Sequence, residues 1–301
     1  MRISRIADIQ VLAFAIWIWR MTNRELAYIV KDQDPLVLSA DDSVGLACRS
    51  MWERRSGSVL VVDDQGRLAG IFTGRDAVRV LGTTKDAGST RLAQAMTREP
   101  ITVTANSRAI DALRAMAEGG FRHVPVTADG AIRGVVSRGD LKGMELEEFR
   151  WEQAGPPRGS GRSFRTLADI VRGRKPLMIG EQERVERACR GMWQGRCGCS
   201  LVLDKQQRLV GIFTGRDTVR VLGSAENAGA LPVRDAMTRA PVSVTADGSA
   251  IAALRAMNDG GFRHLPVIEN GSIVGVVSRT DFTGIEIERL EEEEHLKEVI
   301  W

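Results

Sequence analysis

The sequence predicts an α/β (strictly α+β) protein assembled from four copies of one β-α-β-β-α unit, arranged as two pairs. Two observations carry that prediction. The segment Gly-Ile-Phe-Thr-Gly-Arg-Asp occurs unchanged at residues 70–76 and 211–217, and a looser form, Gly-Val-Val-Ser-Arg-x-Asp, occurs at 134–140 and 275–281. The spacing is regular: Asp76 to Asp217 and Asp140 to Asp281 each span 141 residues, while Thr73 to Ser137 and Thr214 to Ser278 each span 64. Self-similarity at a fixed period marks a repeat architecture. Pro35/Pro176, Cys48/Cys189, Met51-Trp52/Met192-Trp193, Met96/Met237 and Phe121-Arg122-His123/Phe262-Arg263-His264 keep the 141-residue offset without a gap. A lone unit of roughly sixty residues buries too little surface to be secure, so the units should pair into cooperative domains.

The first copy shows how each element arises. Residues 36–38, Leu-Val-Leu, form a short apolar strand. Ala40-Asp41-Asp42-Ser43 supplies helix-capping side chains, and Val44, Ala47, Cys48 and Met51 follow at helical spacing. Residues 59–62 are a β-branched run ended by the turn Asp63-Asp64-Gln65-Gly66, and residues 68–72 return as the second arm of a hairpin. Thr73 then opens a helix through Val78, Val80 and Leu81. The other three copies read the same way.

This order, the hairpin ending in Gly-apolar-apolar-Ser/Thr-x-x-Asp, and the Ala-Met-Thr-Arg-x-Pro entry at 95–100 and 236–241 resemble the CBS-domain family over about residues 26–286. The resemblance implies two CBS pairs stacked as a disc: a first pair at 25–148 (motifs about 28–84 and 92–147) and a second at 166–287 (motifs about 167–225 and 232–287). The disc could close within one chain across the linker or by homodimerisation. The resemblance leaves both open.

Between the pairs, residues 149–165 contain Gly-Pro-Pro-Arg-Gly-Ser-Gly and read as a flexible linker. Residues 1–24 form an N-terminal extension. Its apolar stretch at 6–19 is interrupted by Asp8 and Gln10 and is short of the ~20 residues a membrane span needs. No small-residue cleavage site follows it. It reads first as an over-extended start preceding Met21, next as an interfacial or partner-binding helix, and last as a membrane anchor. Residues 288–301, with four successive glutamates, read as an acidic C-terminal helix with a solvated face.

Composition narrows the function classes. A net charge of +3 over 301 residues, with scattered basic residues, argues against a dedicated nucleic-acid surface. The four cysteines form no disulfide framework, which fits a reducing, cytoplasmic setting. Cys48 and Cys189 occupy core positions. Cys197 and Cys199 are expected to share one face of a strand; their counterparts in the first half are Ser56 and Ser58, so small size explains them better than redox sensing. With three histidines and no ligand cluster, no metal site is expected. Nor is any nucleophile–base pair or acid pair visible, so the sequence does not read as an enzyme.

The four corners hold the candidate chemistry. A strand ending in Thr or Ser delivers a hydroxyl to unpaired N–H groups at the start of a helix, a favourable place for phosphate. An arginine can add a charge-assisted contact, and the aspartate offers two acceptors matched to the two hydroxyls of a ribose. By spacing alone, each corner is equally a capping box. The family resemblance implies phosphate and ribose contacts at Thr73 and Asp76, Ser137 and Asp140, Thr214 and Asp217, and Ser278 and Asp281. Arg75 and Arg216 precede the aspartate, whereas Arg138 and Arg279 follow the serine, so two classes of corner are expected. The base is expected against the strands carrying His123, Val124 and Pro125, and His264, Leu265 and Pro266, where proline suits an edge or bulge.

The reading that follows is a non-enzymatic regulatory protein that binds AMP, ADP, ATP or S-adenosylmethionine and signals to a separate effector protein. A ligand-free interaction scaffold and an RNA- or DNA-binding protein are the alternatives.

Overall fold

The computed structural model describes residues 24–154 and 165–283, with 286, 287 and 290. The extension at 1–23, most of the 149–165 linker and nearly all of the acidic C-terminal segment lie outside the described residues. The described residues divide into two compact units: one contains residues 24–34, 101–154 and those described from 282 onward; the other contains 35–100 and 165–281.

The larger unit holds the first copy, β1 (Val37–Ser39), α1 (Val44–Glu53), β2 (Ser58–Val62), β3 (Leu68–Thr73) and α2 (Gly74–Thr83), and its counterpart at the 141-residue offset. Ser43 caps α1 by accepting from the Leu46 N–H at 3.1 Å, and Val44, Ala47, Cys48 and Met51 form its buried face, as their spacing predicts. β1 runs parallel to β2, and β2 antiparallel to β3. Phe72 at the centre of the repeated segment is fully buried, as is Phe213. Each contributes ~1.5–3 kcal/mol by burial.

Two features depart from the sequence reading. Thr97 and Arg98, assigned to the entry of the second copy, instead add a fourth strand, β4, to the first copy's sheet by pairing with Ile71 and Gly70. The reason is steric: Met96 fills the space a side chain at Gly70 would take, so only glycine admits the chain there. Met237 does the same at Gly211. The short helices that lead each copy are also exchanged. Leu92–Ala95, which precedes the second copy, bonds back to the first through Leu92 N–H to Asp42 O and Ala93 N–H to Ala40 O, each 2.8 Å. Leu26–Val30, which precedes the first copy, bonds to the second through Leu26 N–H to Ser107 O at 2.9 Å and Ala27 N–H to Ala105 O at 2.8 Å. Leu167–Val171 and Val233–Ala236 repeat the exchange in the second half.

Within the larger unit, the first and third copies pack on each other about an approximate two-fold relation. Helix α2 lies against Val185–Gln194, and Gly215–Ser224 lies against α1. The approach is close because glycines sit at the crossings. A Cβ on Gly82 would lie 2.6 Å from Arg190 N, and one on Gly223 2.7 Å from Arg49 N. Reciprocal hydrogen bonds close the contact: Arg49 Nε to Gly223 O at 3.0 Å and Arg190 Nε to Gly82 O at 3.1 Å. Arg79 and Arg220 lie over the rings of Trp193 and Trp52. This contact joins two copies of one chain.

The second and fourth copies have three-stranded sheets, β5-β6-β7 (Val103–Thr104, His123–Ala128, Ala131–Ser137) and its counterpart Val244–Thr245, His264–Glu269, Ser272–Ser278. Here the predicted helix after the corner does not begin at the serine. Arg138–Asp140 and Arg279–Asp281 are single 3₁₀ turns. After the first, Leu141 is extended (ψ 137°) and 5% exposed, so the backbone breaks to bury it, and a helix restarts at Gly143–Ala154. Phe282 at the equivalent place is also 5% exposed. The Thr corners have Ala77 and Thr218 there, which continue the helix.

Candidate functional site

Each Thr corner is a buried capping box. Asp76 is 9% exposed. Its Oδ2 accepts from Thr73 N–H at 3.0 Å and Thr73 Oγ1 at 2.8 Å, while Arg79 Nη2 reaches Oδ1 at 3.3 Å. Asp217, 7% exposed, has the same partners: Thr214 N–H at 2.9 Å, Thr214 Oγ1 at 2.8 Å and Arg220 Nη2 at 3.4 Å. Burial raises both carboxyl pKa values above the ordinary range, opposed by the threonine hydrogen bonds and the arginine. Arg79 and Arg220 also donate to Ala95 O and Ala236 O, tying each box to the exchanged helix. These carboxylates are thus turned inward, and Arg75 and Arg216 are exposed beside them. Arg216 Nη1 donates to Gly261 O at 2.9 Å, at the C-terminal end of the fourth copy's helix Ala250–Gly260.

The Ser corners differ from these and from each other, the Asp281 side chain being only 15% exposed. Asp140 is exposed, and its Oδ2 accepts from Ser137 N–H at 2.6 Å. Asp281 accepts at Oδ2 from Ser278 N–H at 2.6 Å and Ser278 Oγ at 2.8 Å. A clamp that sequence reasoning missed holds each turn. Arg24 Nη2 donates to Asp140 O at 3.1 Å, and Arg165 Nη2 to Asp281 O at 3.1 Å. Arg24 also makes a two-pronged pair with buried Glu145, at 2.7 and 2.9 Å, and Glu145 caps the restarted helix by accepting from Lys142 N–H at 2.8 Å. The signal for the clamp was available, because Arg24 and Arg165 are themselves 141 residues apart.

The strands expected beside the base present backbone rather than side chains. Val124, Pro125, Leu265 and Pro266 are buried. β6 is central in its sheet, yet among the described residues β5 pairs only with Val126 and Thr127, while β7 pairs along the whole of β6. Proline is tolerated there for the reason foreseen, with a register shift directly after Val126. The fourth copy repeats this around Pro266. His264 packs against Gly198, where a Cβ would lie 2.6 Å from its Nε2. Cys199 begins a strand, Cys199–Leu203, but Cys197 lies before it, so the two do not share a strand face as expected. Burial, then Cys197 and Asp281, push the Cys199 thiol up to about 12. Among the described residues there is no cluster able to hold a metal, and no helix is long and apolar enough to cross a membrane.

Comparison with known proteins adds to this geometry. The CBS domain profile matches residues 28–83, 92–145 and 233–287, more than half of the chain. The third copy is not among the matched residues, although it repeats the first copy's elements. CBS domain-containing protein CBSCBSPB5 of Arabidopsis thaliana is 28% identical over 272 residues, covering 80% of this chain and 50% of its own length. The mitochondrial CBS domain-containing protein CBSX3 of the same plant is 35% identical over 119 residues, 38% of this chain and 58% of its own length. This chain therefore spans about half the length of these plant relatives. Among solved structures, protein MJ1225 of Methanocaldococcus jannaschii aligns with a TM-score of 0.67 at 17% identity, covering 86% of this chain and 98% of that one. At that identity the likeness is one of fold.

Proposed function

The chain belongs to the CBS-domain family, and we propose that it is a regulatory protein that binds an adenine nucleotide or another adenosyl ligand and passes the signal to a separate partner protein. One observation carries this reading: at the second copy's Ser corner a hydroxyl and an exposed carboxylate stand together at the end of a strand, with an arginine next in the chain, and the fourth copy repeats the same residues. A ribose diol donates two hydrogen bonds that a carboxylate can accept, and a guanidinium suits a phosphate. Asp140 and Asp281 take the ribose in this reading, Ser137, Arg138, Ser278 and Arg279 the phosphate. Backbone groups of residues 123–125 and 264–266 read the base edge. The ligand biases a conformational equilibrium by binding one state more tightly, and the partner reads that state.

The Thr corners favour a second reading for themselves. With Asp76 and Asp217 buried and bonded within their own boxes, Thr73, Asp76, Thr214 and Asp217 act as caps that hold the first and third copies as a scaffold, and Arg75 and Arg216 stay outside the site.

Calorimetric titration with AMP, ADP, ATP and S-adenosylmethionine tests the proposal. Micromolar binding of at least one, weakened by Asp140→Asn, supports it. Absence of heat with all four overturns it in favour of the scaffold.

A further inference from the structure

The second and fourth copies carry the same corner motif, yet their surroundings differ at three positions, and all three differences act in one direction. Residue 33 is Gln and its counterpart 174 is Arg. Arg174 Nη1 forms an ion pair with Asp281 Oδ1 at 2.6 Å. Gln33 instead turns its Oε1 to the Val135 N–H at 2.9 Å, and Asp140 Oδ1 has no partner among the described residues. Residue 139 is Gly and its counterpart 280 is Thr. Thr280 Oγ1 lies 2.9 Å from Ser278 Oγ, which also bonds Asp281. Residue 117 is Ala and its counterpart 258 is Asn. Asn258 Oδ1 accepts from Arg279. Arg138, with alanine there, makes no side-chain hydrogen bond or ion pair among the described residues although it is half-buried, and burial alone lowers its pKa.

A carboxylate offers about four acceptor positions, two on each oxygen. At Asp281 both positions on Oδ2 are taken by Ser278 and one on Oδ1 by Arg174. A two-pronged ribose contact needs one position on each oxygen, so it requires Ser278 to release a position on Oδ2, while Arg174 leaves only one on Oδ1. At Asp140 each oxygen keeps a position. A half-buried guanidinium without an acceptor is costly unless an anion completes it.

We propose that the second copy's corner, Ser137-Arg138-Gly139-Asp140, is the ligand-competent site of the resting protein, and that Arg174, Asn258 and Thr280 hold the fourth copy's corner closed by satisfying it internally. This rests on the adenosyl-ligand reading above and specifies where the ligand goes. The fourth corner is the weaker site, because a ligand there must displace a Ser278 bond and compete with Arg174, Asn258 and Thr280 for the same groups. The second corner has none of them to displace.

The test is calorimetry with AMP and, in parallel, S-adenosylmethionine, on the full chain. Wild type should show one tight site per chain. Asp140→Asn and, separately, Arg138→Gln should each weaken that site by about tenfold or more, the scale of one hydrogen bond to a charged group. The triple variant Arg174→Gln/Asn258→Ala/Thr280→Gly, which gives the fourth corner the second's chemistry, should gain a second site of similar affinity. Ala117→Asn supplies a readout on the ligand-free protein: by giving Arg138 an acceptor it should raise Tm and weaken binding. Two equal sites in wild type, or tight binding that survives both Asp140→Asn and Arg138→Gln, overturn this inference alone. Absence of binding by either ligand to any variant overturns the underlying reading with it.

Discussion

Arg24 and Glu145 stand 121 residues apart in the chain and meet through two hydrogen bonds, Nε to Oε1 at 2.7 Å and Nη2 to Oε2 at 2.9 Å. The glutamate side chain is fully buried and the arginine is 28% exposed. The pair fastens the segment before the first copy to the turn and helix that follow the second copy's corner. Removing one partner of a buried pair leaves an uncompensated charge, which costs ~3–5 kcal/mol, whereas replacing both by apolar groups of similar volume is close to neutral. Arg24→Met should therefore lower the urea-unfolding free energy by about that amount, and Arg24→Met/Glu145→Leu should recover most of it. Equal losses in the single and double variants would show that the pair contributes through packing rather than charge.

The glycines between the first and third copies make a second expectation. A Cβ on Gly82 or Gly223 would stand within 2.6 or 2.7 Å of backbone nitrogen, where nothing flexible can yield. Gly82→Ala and Gly223→Ala should each cost ~1–3 kcal/mol, as overpacked sites do. Gly88→Ala, whose Cβ would meet nothing within 4 Å, is the control and should leave Tm within about a degree of wild type. A neutral Gly82→Ala would mean that these two copies do not pack this closely in solution.

The local grammar of the chain was legible in its residues. Ser43 caps the helix it precedes, Val44, Ala47, Cys48 and Met51 face inward, and Asp63–Gly66 turns the hairpin, because each depends on neighbours within a few positions. The exchange of the leading helices was not legible, since Leu26 bonds to Ser107 and Leu92 to Asp42 across distances no local pattern encodes. The 3₁₀ turn after Ser137 was missed for a different reason: periodicity allows a helix there, and the demand to bury Leu141 overrides it. At the corners, the motif alone did not separate the two classes. What separates them is burial of Asp76 against exposure of Asp140. The residues that further distinguish Asp281 are remote in sequence, with Arg174 lying 107 positions away. Aligning the halves at their fixed offset flags Gln33/Arg174 and Ala117/Asn258 as departures, but only the fold shows that both converge on one corner.

The aspartates predict opposite pH behaviour. Burial raises the Asp76 pKa above the ordinary 3.8 in the folded protein. Its folded form therefore holds a proton that the unfolded chain has released, so its stabilising contribution is complete below 3.8 and is lost as pH rises through the folded value. The Asp169 pKa is lowered from 3.8 by hydrogen bonds from Thr166, so its contribution is present above 3.8 and is lost as pH falls through the folded value. Wild type measured against Asp76→Asn should thus gain relative stability as pH is lowered from 7 toward 4. Wild type against Asp169→Asn should hold its relative stability over that range and lose it on further acidification. Thermal unfolding of the three proteins across pH is the measurement, and parallel curves would contradict the assignment of buried and exposed caps.

The thiols give the last expectation. Burial pushes Cys48 and Cys189 up to about 12, and burial with two nearby groups pushes Cys199 up to about 12. At pH 8 such a thiol is ionised to roughly one part in ten thousand, and the thiolate is the reactive species. Cys197 is raised as well, but it is half-buried and lies outside the strand that encloses Cys199. Iodoacetamide at pH 8 should therefore modify Cys197 first and the other three only on unfolding, a sequence readable by peptide mass spectrometry at timed intervals. Rapid modification of Cys199 in the folded protein would mean that the start of its strand opens, and with it the neighbourhood of Asp281.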